Sequence, residues 1–125
     1  MYLSFEKWHG NGNDFIIVNS IENELKITKN KIIKISDRNT GIGFDQLIKI
    51  DLPTKPNQDF FIRFFNADGS EAGMCLNGIR CAAKYIWNNS FAPIGAVNFQ
   101  TKTKNIICEP KTNNMIQVNV DSPDK

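Results

Sequence analysis

Short apolar runs separated by polar, glycine- and proline-bearing clusters recur along the chain, the pattern of strands joined by turns. Seven runs predict strands: Leu3 to Trp8, Phe15 to Asn19, Gln46 to Ile50, Phe60 to Phe65, Ala96 to Thr101, Lys104 to Cys108 and Met115 to Val120. One stretch has another rhythm. Ile79, Ala82, Ala83 and Ile86 fall on one face of an α-helix, and neither Gly nor Pro occurs between Ile79 and Trp87, so a helix is predicted to begin near Leu76. A weaker helical segment starts near Thr28 and predicts a short helix over Lys29 to Asp37. Strands in this proportion to helices predict an α+β fold.

The polar clusters have their own signals. Asn11-Gly12 between two strand-like runs predicts a tight hairpin turn. Asn39 to Gln46 closes the weak helix, and its Gly41-x-Gly43 lacks the spacing of a nucleotide fingerprint, so it makes a poor phosphate cradle. Asn66 to Gly73 reads as loop, Pro53 and Pro56 mark a surface loop, and Asp121 to Lys125 forms a polar, turn-like tail. No linker, repeat or low-complexity tract interrupts the chain.

Composition narrows the classes. A chain of 125 residues has room for one domain, and 41% hydrophobic residues, 22% charged residues and a net charge of +2 are ordinary for a globular protein. No basic stripe of the kind nucleic-acid binders carry is present, and the series Lys26, Lys29, Lys31 and Lys34 reads as a solvated face. The first residues lack the basic start and apolar core of a leader, and no apolar run approaches the ~18 residues of a membrane span, so neither export nor a membrane partner is expected. Three cysteines cannot all pair internally, and free thiols suit a reducing, cytoplasmic compartment. Cys75 and Cys81 lie six apart and the lone His9 sits in another motif, so no metal site is read; Cys81 and Cys108 are expected in the core.

Cys75 stands apart because the order around it is strand, polar loop, cysteine, helix. The unpaired N–H groups of a helix start favour anions, so they can lower a thiol's pKa and hold a carboxylate beside it. A small, buried, inert cysteine is the plainer alternative. From the residues alone both readings stand.

Three motifs in series resolve the choice by likeness. His9-Gly10-x-Gly12-Asn13-Asp14-Phe15, Gly41-Ile42-Gly43-Phe44-Asp45-Gln46 and Phe65-Asn66-Ala67-Asp68-Gly69-Ser70-Glu71, followed by Cys75-x-Asn77-Gly78-x-Arg80-Cys81, resemble the N-terminal half of diaminopimelate epimerase. The resemblance covers essentially the whole chain. It implies a strand-rich, barrel-like mixed sheet curled around the long helix, and a cofactor-independent isomerase of lysine and cell-wall precursor synthesis. In such an enzyme one cysteine removes the α-proton as a thiolate while an opposite thiol returns one to the other face. Cys75 matches one of that pair. Asn13, Gln46 and Asn66 match substrate-binding positions, while Asn77 and the backbone N–H at Leu76 match the cradle of the reacting carboxylate.

Two departures bear on that expectation. Leu76 stands where the family pattern has Gly: it would be strained if the backbone needed a positive φ, would crowd the thiol, or would join Ile79 and Ala83 on the apolar face. The resemblance also implies a second cysteine-bearing half absent from these residues, so residues 1–125 alone are expected to lack turnover. The implied partners are diaminopimelate and either a C-terminal half or a second copy of the chain. A non-catalytic amino-acid-binding or self-associating domain, and a related two-thiol isomerase with another substrate, are the alternatives.

Overall fold

The computed structural model describes residues 4–10, 12–22 and 24–120. Among these the elements are β1 (Phe5–Gly10), β2 (Asn13–Asn19), α1 (Lys29–Ser36), β3 (Gln46–Asp51), β4 (Phe60–Asn66), β5 (Glu71–Ala72), α2 (Leu76–Asn88), β6 (Val97–Gln100), β7 (Asn105–Pro110), a 3₁₀ turn (Thr112–Asn114) and β8 (Ile116–Val120). The strands form one mixed sheet in the order β1-β2-β3-β4-β6-β7-β8, with β5 paired to β4. β2 and β3 run parallel, with Phe15 opposite Gln46, and α1 lies in the connection between them. β3 and β4 are antiparallel, with Gln46 opposite Asn66.

Alternation along the strands divides the core in two. Phe15, Ile17, Ile48, Ile50, Ile62 and Phe64 point to the face occupied by α2, and Ile16, Val18 and Leu47 point to the face where α1 contributes Ile32. The α2 cluster also takes in Val97 and Phe99 of β6 and Ile106 and Cys108 of β7, with Trp8 of β1 and Val118 of β8 packed against it. Seven flat strands would span about 29 Å at ~4.8 Å spacing, while a helix with its side chains is about 11 Å across. Residues of both outer strands pack on the one cluster that holds α2 because the sheet curls around it.

The hairpin turn falls between Gly10 and Asn13, which face each other in register, and Gly12 has φ +86°. Asn11, Leu3 and the 121–125 tail lie outside the described residues. Several boundaries differ from expectation. β1 continues past Trp8 to Gly10 and β2 starts at Asn13, so His9 and Asp14 are ladder residues facing each other instead of loop residues. The segment expected to be all loop contains β5, whose Glu71 and Ala72 pair with Phe65 and Phe64. Two residues are too few to leave a periodic signature.

Turns and caps follow from named residues. Thr28 Oγ1 accepts from Lys31 N–H at 3.1 Å and so opens α1. The turn after β4 needs glycine at 69: its φ is +86°, and a β-carbon there would lie 2.3 Å from Lys29 Cγ and 3.0 Å from the Lys29 carbonyl oxygen. That turn is thereby seated on the start of α1. The lysines at 26, 29, 31 and 34 are all exposed. No helix among the described residues is long and apolar enough to cross a membrane.

Candidate active site

Parallel pairing of β2 with β3 brings the first residues of both strands to one end of the sheet, and antiparallel β4 finishes at the same end. Asn13, Gln46 and Asn66 occupy those three strand ends. Each shares strand parity with Phe15, Ile48 and Phe64 respectively, so all three belong to the face that α2 covers. Gln46 Nε2 donates to Asn66 Oδ1 at 3.0 Å, which joins two of the amides directly.

α2 starts at this end too. Gly78, in its first turn, is buried against Phe64 and Ile48, the next cross-strand pair on the same face inward from Gln46 and Asn66. A β-carbon on Gly10 would lie 4.0 Å from Asn77 Cβ and 3.5 Å from Cys81 Sγ, so Asn77 sits beside the β1–β2 hairpin that carries Asn13. Cys75 is the N-cap: its backbone is extended, φ −136° and ψ 118°, and its carbonyl accepts from Ile79 N–H at 2.9 Å. Its side chain makes no capping hydrogen bond and is partly exposed, so the thiol is uncommitted at a helix start whose first N–H groups have no carbonyl one turn back.

The other thiols are different. Cys81 and Cys108 are buried, and loss of solvent pushes Cys81 up from the ordinary thiol range and Cys108 up to about 12. All three cysteines are free.

Leu76 is the first residue of α2 and has no positive φ, so its backbone is unstrained. The expectation that it joins Ile79 and Ala83 on the apolar face does not hold. Leu76 is 44% exposed whereas both of those are fully buried: its helical angle is within about 20° of Ala83, but it is the first residue of α2, at the end of the apolar stripe.

Behind the amides is a charged frame that sequence reasoning missed. Arg38 bridges Asp14 Oδ2 at 2.9 Å and Asp45 Oδ1 at 3.2 Å, and His9 Nδ1 lies 2.5 Å from Asp14 Oδ1. Asp14 N–H donates to Asp45 Oδ2 at 2.8 Å, and Asp45 N–H donates to the Asp14 carbonyl at 3.0 Å. Asp14 follows Asn13 and Asp45 precedes Gln46, so this frame locks the backbones of two site residues together. The Arg38 guanidinium, with His9, holds the Asp14 carboxyl below the usual carboxylate range. Both aspartates lie inside the motifs. Arg38, outside them, had no signal of its own.

Solved structures share this architecture. A methylitaconate-delta-isomerase superposes with a TM-score of 0.73 at 18% identity, covering 91% of this chain and 35% of that one. PhzF-family phenazine biosynthesis proteins from Bacillus anthracis (TM-score 0.61, 16% identity, 94% and 38% coverage) and Enterococcus faecalis (0.60, 16%, 81% and 35%) are also similar. At such identities the likeness is one of fold, and the chain spans little more than a third of each structure. The sequence matches the diaminopimelate epimerase family over residues 5–125, and the chain belongs to that family.

Proposed function

We propose that this chain supplies one catalytic face of a cofactor-independent, two-thiol epimerase that interconverts LL- and meso-diaminopimelate, with Cys75 as one of the two acid/base groups. The supporting observation is convergence: an uncommitted thiol at the start of α2 stands at the same end of the sheet as the amides of Asn13, Gln46 and Asn66. The amides hold the substrate, while Asn77 and the backbone N–H of Leu76 receive the carboxylate next to the reacting carbon. As Cys75 thiolate removes the α-proton, negative charge builds on that carboxylate, and the oriented N–H groups of the helix start stabilise it. An opposite thiol then delivers a proton to the other face.

That second thiol is not Cys81 or Cys108, which are buried in the core. It comes from a second half or from another copy of the chain, and residues 1–125 alone turn over little or no substrate. A two-fold pair would present identical contacts to the two unlike ends of a substrate, which disfavours it. Likeness to methylitaconate-delta-isomerase supports a second reading, a proton shift on a carboxylate substrate other than diaminopimelate. Exchange of the α-proton in deuterated water separates these. Cys75-dependent exchange with diaminopimelate in a chain joined to a second cysteine-bearing half supports the proposal, and its absence there refutes it. Enzyme-like exchange by residues 1–125 alone would establish the symmetric pair.

A further inference from the structure

A carboxamide has a donating end and an accepting end, and the end that faces a site decides what the site can hold. The turn after β4 fixes this choice. Ser70 Oγ lies 2.6 Å from Asp68 Oδ1, and Ser70 N–H donates to the same oxygen at 2.9 Å. An ionised carboxylate only accepts, so the Ser70 hydroxyl proton is committed to Asp68 and the hydroxyl oxygen is left to accept. Asn66 Nδ2 donates to it at 3.1 Å. Asn66 therefore turns Oδ1 toward Gln46, whose Nε2 donates to it at 3.0 Å. Donation runs one way, from Gln46 through Asn66 and Ser70 to Asp68. A reversed Asn66 would set its carbonyl against a hydroxyl whose proton is already spoken for.

The direction has a consequence at the far end. With its nitrogen engaged, Gln46 keeps Oε1 as an acceptor, and that atom is buried with no hydrogen-bond partner among the described residues. The turn itself is anchored: Ser36 Oγ donates to the Ala67 carbonyl at 3.1 Å, Asn66 N–H donates to the Ser70 carbonyl at 2.8 Å, and Gly69 packs on Lys29.

We propose that Asp68 and Ser70 are positioning residues that orient the amides of Asn66 and Gln46, so that the site keeps a carbonyl acceptor at Gln46 and takes a donor there, an amine in its ammonium form and not a carboxylate. This rests on the reading of Asn66 and Gln46 as substrate contacts, but the relay is measurable without any substrate. A buried acceptor lacking a donor is unfavourable, and a ligand ammonium supplies the missing hydrogen bond.

The test follows the side-chain amide resonances of Gln46 and Asn66 by NMR in the chain and in Ser70→Ala and Ser70→Thr. Ser70→Ala is expected to remove the hydrogen-bonded proton shift of both amides, Gln46 being linked to Ser70 through Asn66, while the backbone signals of 46 and 66 stay in place. Ser70→Thr, which keeps the hydroxyl, restores both. Methylammonium is expected to move the Gln46 signals more than acetate at equal ionic strength. Gln46 signals that ignore Ser70→Ala, or that move no more with methylammonium than with acetate, overturn the proposal. A failure of diaminopimelate to exchange its α-proton would instead undo the functional reading and leave these resonances as they are.

Discussion

Gly78 and Phe64 are packed so closely that a β-carbon on Gly78 would lie 2.7 Å from Phe64 Cε1, with Ile48 Cδ1 at 3.3 Å. This contact sets the height of the α2 start above the sheet, and with it the position of Cys75 three residues earlier. Gly78→Ala adds a methyl group to a filled space at a cost of about 1–3 kcal/mol, against up to about 1 kcal/mol gained in helix propensity. A net loss of roughly 1–2 kcal/mol is expected in denaturant unfolding. A stabilised variant would show that the first turn of α2 can lift freely.

The three thiols should react unequally. Cys75 is partly exposed at a helix start, whereas burial raises the pKa of Cys81 and of Cys108. Alkylation near neutral pH, read by peptide mass, is expected to label Cys75 well before the other two, because the thiolate is the attacking species. Equal labelling in the native protein would count against the assignment.

Leu76 stands next to that thiol with an unstrained backbone and a solvent-facing side chain. Leu76→Gly is expected to leave Cys75 alkylation unchanged or faster, with up to about 1 kcal/mol of stability lost at the helix start. Slower alkylation would mean that Leu76 supports the reactivity of the thiol instead of crowding it.

Acid should loosen the frame behind the amides. Asp14 is held low by Arg38 and His9, Glu71 by its two-point bond to Arg63 at 3.0 Å, and Asp68 by Ser70. A carboxyl whose folded pKa is depressed stabilises the fold above its unfolded pKa, near 4, and loses that contribution as pH falls through the folded value. The melting temperature is therefore expected to be flat above about pH 5 and to fall below about pH 4. Arg38→Met removes the main cause of the Asp14 shift, so its profile should be shallower in the acid range. Identical profiles would show that the Arg38 bridge contributes nothing to folding.

Much of this was legible in the sequence where the signal is local. The period of Ile79, Ala82, Ala83 and Ile86 placed α2 correctly from Leu76, and Thr28 marked the start of α1, because helical spacing and capping act within one turn. What joins distant residues was silent. Arg38 lies 24 residues from Asp14, and no run of sequence announces that pairing. The parallel register of β2 with β3, which brings Asn13 and Gln46 to the same end of the sheet, depends on where α1 returns the chain. Motif likeness alone put Asn13, Gln46 and Asn66 in one place. The exposure of Leu76 left no sequence signal, since its helical angle lies within about 20° of buried Ala83 and what differs is its place as the first residue of α2.

The parallel pairing gathers the chemistry-bearing strand ends at one pole of the sheet, while the opposite pole is tied independently through Gln100, which accepts from Thr54 N–H at 2.9 Å and donates to Thr54 Oγ1 at 2.7 Å. The two poles are thus held by different sets of contacts. Substitutions in the turns at 41–45 and 67–75 are expected to act on the candidate site, and substitutions around 52–58 on stability at the far end. A half-barrel organised this way keeps the elements that carry its candidate site apart from those that close its far end.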